Sequence, residues 1–343
     1  MKKFLLVVII LLICMSGIMV SLSDCFASTS IHSGKISGVI NVYWPREGFK
    51  PGRARINILN TELFTVSSSY GNYVINNIPD GQHTVTVYKY GYLPAQKIIN
   101  VVGGQKITDV DFNIEIKEPE GRLLGSVSYL GFNLDHQPFN NLKVRQALNY
   151  AIDKKALVDE INSKFNQMLE VAQSPLPPKM SAYNPNITGY LYNVDKAKDL
   201  LSQAGYPKGF NIDLYYPEES KQWGFIAKEV KKYLAQIGVK ADLKTKKWSE
   251  FVKIIEQGKL PFFVLGWGAD TPDPADYLYS LYHSKSSVNN SRYKNSTIDS
   301  QIEQAWGIMN EADFVQLIQQ IEKTIVDDAP AIYISHMIYM INK

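Results

Sequence analysis

Residues 262–283 read FFVLGWGADTPDPADYLYSLYH. The apolar run Phe262–Leu265 reads as a buried strand, which closes on Gly266-Trp267-Gly268 and is followed by three aspartates, Asp270, Asp273 and Asp276. Two of these have a local explanation. Asp273-Pro274-Ala275-Asp276 fits a helix start, with Asp273 as N-cap, Pro274 at the first helical position and Asp276 in the first turn, where a carboxylate favours the helix dipole. Asp270 precedes the cap and has no such duty. Local reasoning leaves it open between a turn residue and a ligand group. Ligands of α/β units meet the carboxyl ends of strands, which is where Trp267 and Asp270 stand.

The flanks of this stretch settle its class. From Asn140 the apolar period is 3.6: Leu142, Val144, Ala147, Leu148, Ala151 and Ile152 make one helical face, and Asp153 is placed to cap a second helix. Asn193 starts and Gly205 stops a third helix. The strand FNIDLYY follows, then a helix with Ile226, Val230, Leu234 and Ile237 on one stripe, and the strand VKADLKT. A helix SEFVKIIEQG leads into Phe262; two more, about Thr297–Met309 and Ala312–Val326, precede the apolar run AIYISHMIYMI. Strands alternating with helices predict an α/β unit with at least partly parallel pairing.

Lys35–Glu115 has another rhythm. SGVINVYW, ARINILN, YGNYVINNI, HTVTVYKYGY, QKIINVV and ITDVDFNIEI alternate with period two and are punctuated by Pro79-Asp80-Gly81 and Gly103-Gly104. Strands at this spacing predict an antiparallel β-sandwich. Residues 116–128 read as a short charged join.

Composition bounds function. With 45% hydrophobic and 12% aromatic residues in 343, the chain can build more than one core. A net charge of +3 with no basic block argues against nucleic acid as a partner. The five histidines, His32, His83, His136, His283 and His336, show no metal-ligand spacing, and the aspartate triplet lacks the glycine and final glutamate of a calcium loop. Neither a nucleophile elbow nor a zinc-protease motif occurs, so no catalytic residue is nominated; nothing calls for a cofactor. Arg145, mid-helix, reads as a structural ion-pair or packing residue, and Lys221 and Lys228 as solvated helix-face lysines, although either lysine could meet a carboxylate.

The first 27 residues have a basic start at Lys2 and Lys3, an apolar stretch from Phe4 to Met15, and Cys25-Phe26-Ala27 before Ser28, a secretory pattern. Three fates stay open: cleavage after Ala27, lipidation of Cys25, or retention as an anchor. Both cysteines, Cys14 and Cys25, lie in this segment, so a chain cleaved after Ala27 would carry no disulfide. The expected location is outside the cytoplasm, in the periplasm or at the cell surface.

Two resemblances sharpen these expectations. SSSYGNYVINNIPDGQHTVTVYKYGYLPAQKIINVVGGQ resembles the carboxypeptidase regulatory-like family, which implies a non-catalytic sandwich over 35–115. YLGFNLDHQPFNNLKVRQALNYAIDKKALV, GYPKGFNIDLYYP, YLAQIGVKADLKTKKWSEF, GWGADTPDPADYL and NNSRYKNSTIDSQIEQA together resemble bacterial extracellular solute-binding proteins of family 5, from about Tyr129 to His336. That resemblance implies a periplasmic-binding-protein-like lobe over 129–343, a peptide or other small solute as ligand and an ABC transporter permease as partner. It places Asp270 opposite a ligand ammonium and Trp267 beside the ligand. It also implies that most of a first lobe is missing, either supplied by a separate chain or leaving a receptor of degraded function; the other reading is a surface scaffold protein that has lost solute capture.

Overall fold

The computed structural model describes residues 33–44, 47–117 and 123–340; the secretory-type segment, Cys14 and Cys25 lie outside the described residues. The first strands form two sheets. The five-stranded sheet runs β2 (Gly48–Pro51), β1 (Ser33–Trp44), β5 (Asn72–Pro79), with β8 (Lys106–Ile107) and β9 (Phe112–Ile114) also on β1. The four-stranded sheet runs β4 (Phe64–Val66), β3 (Arg55–Ile58), β6 (Gly81–Tyr88), β7 (Ala95–Val101). Alternation sends Ile36, Ile40 and Ile75 from one sheet and Ile56, Val85 and Val87 from the other into a common core.

The Pro79-Asp80-Gly81 turn does not close a hairpin, because β5 pairs with β1 while β6 pairs with β3 and β7. Gly81, at φ +131°, lets the chain cross between sheets instead. Asp80 then accepts hydrogen bonds from the Gly103 and Gly104 amides, both at 3.0 Å, and fixes the next crossing. One expectation needs correction. The sheets are not wholly antiparallel, since β8 and β9 run parallel to β1. The chain reaches them by crossing from β7 in the other sheet, so no tight hairpin imposes an antiparallel return.

The remaining residues form one six-stranded sheet, in the order β11 (Glu170–Val171), β15 (Ala331–Met340), β10 (Leu123–Phe132), β14 (Phe262–Gly268), β12 (Asn211–Pro217), β13 (Lys240–Lys246). Strand β12 is parallel to both β13 and β14, whereas β10 is antiparallel to β14 and β15. Strand β10 begins at Leu123, so residues 123–128, read as part of the join, are already in this sheet.

Helices cover both faces. Helices α1 (Leu142–Tyr150), α2 (Lys154–Phe165), α3 (Val194–Gln203) and α4 (Lys221–Ala235) pack on one; α5 (Trp248–Glu256), α6 (Pro274–Tyr282), α7 (Ser296–Ala305) and α8 (Glu311–Asp328) pack on the other. This explains the unbroken apolar run of β14: Phe262 and Val264 enter one core and Phe263 and Leu265 the other. Gly131 of β10 lies against the Phe263 ring, where a Cβ would come within 2.3 Å of ring atoms.

Caps follow the sequence closely. Asn141, Asp153, Asn193, Ser220, Asp273, Asn295 and Asn310 each accept a backbone N–H at the start of a helix. Arg145 is buried and structural, but its partners are carbonyls: Nη1 donates to Phe139 O at 2.8 Å, and Nη2 to Asp328 O at 2.7 Å. It thereby satisfies orphan acceptors at the end of α8.

Candidate ligand-binding face

Strand β14 delivers its carboxyl end to the boundary between the two-sheet unit and the α/β unit. Trp267, half-buried, accepts the Tyr277 hydroxyl on its carbonyl at 3.3 Å, which ties the strand end to α6. Asp270 is exposed in the loop that follows. Trp267 and Asp270 come together on the wall of a cavity of about 30 Å³, with Thr271 and Tyr277 beside them and Trp44 of β1 contributed by the two-sheet unit. Trp267 also walls a larger cavity of about 340 Å³ with Trp223, Leu169, Met337, Ser128 and Gln222. The face therefore offers one exposed carboxylate, an aromatic wall and room for an apolar or watered side chain, a combination suited to a small cationic or zwitterionic solute.

Asp273 and Asp276 do start α6. Asp273 accepts the Ala275 amide at 2.9 Å, and Asp276 lies in the first turn. They have a second role that the local sequence did not disclose. The ammonium of Lys89, fully buried at the end of β6, lies 2.6 Å from Asp273 Oδ2 and 2.9 Å from Asp276 Oδ2. Burial alone would pull the Lys89 pKa down. The two carboxylates outweigh it and hold the ammonium above its ordinary range. Burial pushes the Asp273 carboxyl up to about 6, with Lys89 opposing that rise and Asp276 adding to it. Above that value the triad carries two negative charges against one positive, and the Trp306 indole N–H, donating to Asp276 Oδ1 at 3.0 Å, stabilises the excess.

Around this triad the units interlock. Tyr90 stacks on Phe314 with centroids 4.2 Å apart, and its hydroxyl donates to Glu311 Oε1 at 3.2 Å. Arg53 lies over the rings of Tyr279 and Trp306, 4.4 and 4.5 Å from their centroids, and Arg55 donates to the Gly307 carbonyl. Lys89 had one sequence signal: it continues the inward phase of Val85 and Val87, where a lysine demands a buried partner. Lys221 and Lys228 are exposed on α4 and take no part in the face. Of the histidines, His336 is buried and held down near pH 4 by burial, while His83 and His136 sit on the carbonyls of Pro79 and Gly258. Among the described residues no group of three or more His, Cys, Asp or Glu is arranged to hold a metal ion.

The sequence and the fold both have known relatives. A family profile described as bacterial extracellular solute-binding proteins, family 5 Middle, matches residues 91–289. The match begins at Gly91 rather than near Tyr129, so it takes in the last strands of the two-sheet unit as well as most of the α/β unit. Heme-binding protein A of Haemophilus influenzae is 32% identical over 272 residues, 77% of this chain and 48% of that protein. The dipeptide-binding protein of Escherichia coli is 30% identical over 233 residues, 66% of this chain and 42% of its own. The chain thus spans about half the length of the curated relatives it matches. Among solved structures, HbpA2 from Haemophilus parasuis superposes with a TM-score of 0.59 at 26% identity, covering 77% of this chain and 57% of that one. DppA from Helicobacter pylori in complex with the peptide STSA gives 0.58 at 22% identity, over 76% and 56%, and attests the fold.

Proposed function

The chain belongs to family 5 of the bacterial extracellular solute-binding proteins, and from that premise we propose that it captures a small peptide outside the cytoplasm for delivery to an ABC importer. The observation that carries the reading is the position of the Gly266-Trp267-x-x-Asp270 segment. It lies inside the family match, at the carboxyl end of a central strand, on the wall of a cavity. In this reading the Asp270 carboxylate receives the ammonium of the solute and the Trp267 indole flanks its side chain. A peptide amino terminus is a full cation, and a carboxylate at short range compensates its lost hydration. Capture needs no bond making, so no catalytic group is invoked.

The two-sheet unit over 35–115 is, on this reading, a β-sandwich of the carboxypeptidase regulatory-like kind, and it contributes Trp44 to the same face. Family precedent extends to two solute classes, since one relative bears the name of a heme-binding protein and another that of a dipeptide-binding protein. Peptide is preferred because the face presents a carboxylate beside indoles, and a carboxylate matches the ammonium of a peptide. Among the described residues, no helix is long and apolar enough to cross a membrane. The test is a tryptophan-fluorescence titration with dipeptides, matched N-acetylated dipeptides and hemin. Saturable binding of free dipeptides that acetylation abolishes supports the assignment; preference for hemin, or indifference to acetylation, rejects it.

A further inference from the structure

A second cavity, of about 450 Å³, opens between the two units and shares Trp44, Asp276 and Ser280 with the one beside Asp270. Two donor groups on its wall are under-satisfied. Among the described residues the Arg53 guanidinium forms one hydrogen bond, Nη2 to the Tyr279 hydroxyl at 3.3 Å, and no ion pair. Its position over the Tyr279 and Trp306 rings fixes the fork in place without neutralising it. The Trp44 indole N–H is buried and has no hydrogen-bond partner among the described residues. An indole nitrogen donates only, so the partner it lacks is an acceptor, and its ring lines this cavity as well as the one beside Asp270.

The charge balance of the wall points the same way. Arg53, Lys89 and Lys285 stand on it against one carboxylate, Asp276, and with Asp273 behind Lys89 counted as well, three cations still face two carboxylates. Lys285 stands at the rim; it reaches Glu303 at 3.3 Å, but Glu303 is not on the wall. Ser69, Ser280, Ser286 and Ser287 complete the polar lining, and Tyr70 offers an exposed ring. A fixed guanidinium, a second cation and an unpaired N–H around one space is a receptor for an oxyanion.

We propose that this junction cavity binds a small oxyanionic ligand, a carboxylate or a phosphate, with Arg53 as the anchoring fork and the Trp44 N–H as a second donor. Arg53 and Lys285 line this cavity and not the smaller one beside Asp270, so the proposal does not depend on what binds at Asp270. The ligand would touch both units at once, so its binding would also strengthen their docking.

The test is isothermal titration of the full chain with inorganic phosphate and, separately, with succinate. Saturable binding of either anion is expected: phosphate alone identifies a phosphoryl ligand, and succinate alone or both identifies a carboxylate-accepting site. Arg53→Gln should weaken binding by about ten- to a hundredfold, and Arg53→Lys by less, because charge is kept and the fork is lost. Trp44→Phe removes the N–H with little change of shape and should weaken binding several-fold, a readout that survives if the Arg53 variants fold poorly. Lys155→Gln, which removes an equal charge from exposed α2, is the control. No saturable binding of either anion at millimolar concentration, or equal losses in Trp44→Phe and Lys155→Gln, overturns the proposal.

Discussion

Replacing Lys89 with Met should loosen the two units, and the loss should depend on pH in a stated direction. Lys89 is the sole cation of a buried triad, 2.6 Å from Asp273 and 2.9 Å from Asp276. Removing one partner of a buried pair costs about 3–5 kcal/mol, because the remaining charge is left desolvated. Protonation limits that penalty. Even with Lys89 present, burial raises the Asp273 pKa from 3.8 to about 6, a handicap for the ionised form of about 3 kcal/mol. Without Lys89 the carboxyl moves higher still. The sign follows: a raised carboxyl contributes stability below its unfolded value that is lost as pH rises through the folded value. The variant should therefore lie closest to wild type at about pH 5 and fall furthest behind at about pH 8. For cooperative units of this size, a loss of about 3–5 kcal/mol lowers the melting temperature by about 5–15 °C. Scanning calorimetry at both pH values reads it, and Lys89→Met/Asp273→Asn should recover much of the loss. A Lys89→Met protein within about 0.5 kcal/mol of wild type at both pH values, or equally destabilised at both, would refute the reasoning.

Two further outcomes follow from the packing. Glu322, wholly buried on α8, is pushed up to about 8 by burial, which its hydrogen bond from the Asn184 amide only partly offsets. Its contribution is full below pH 4.5 and is lost as pH rises through 8, at about 1.4 kcal/mol per unit between them. Glu322→Gln should flatten that slope and stabilise the protein by a few kcal/mol at about pH 8, checked by urea titration across the range; an unchanged slope contradicts the assignment. Gly131→Ala would drive a methyl into the Phe263 ring and should cost about 1–3 kcal/mol, read as a lower denaturant midpoint with unchanged slope. A neutral Gly131→Ala would mean that the ring moves aside freely.

What could be read from the chain was local. Asp153, Asn193 and Asp273 were identifiable as caps because a cap's partner lies two or three residues away. The stripe Ile226, Val230, Leu234 and the buried run of β14 were readable because burial imposes a period. Asp270 and Trp267 stood out from their place at a strand end, and the fold does bring them to one cavity. Lys89 was not legible as their neighbour's partner, since 184 residues separate it from Asp273 and only docking of the units joins them. The same holds for Trp44, at the end of β1, and Arg53, just before β3, whose surroundings in the chain carry no local mark of the surface they will face. The parallel pairing of β8 and β9 escaped too, because period-two alternation is blind to strand direction. Arg145 was placed correctly as structural, yet its acceptors are carbonyls that exist only because α8 ends there.

The most direct measurement is native mass spectrometry of the full chain and of Asp270→Asn after incubation with a mixed pool of di- to pentapeptides. The proposed role predicts that the wild-type chain retains a bound peptide and that the Asn variant, alike in size and fold but without the charge, retains at least about tenfold less. A well-folded wild-type protein that retains no peptide, or equal retention by both proteins, would contradict peptide capture at Asp270.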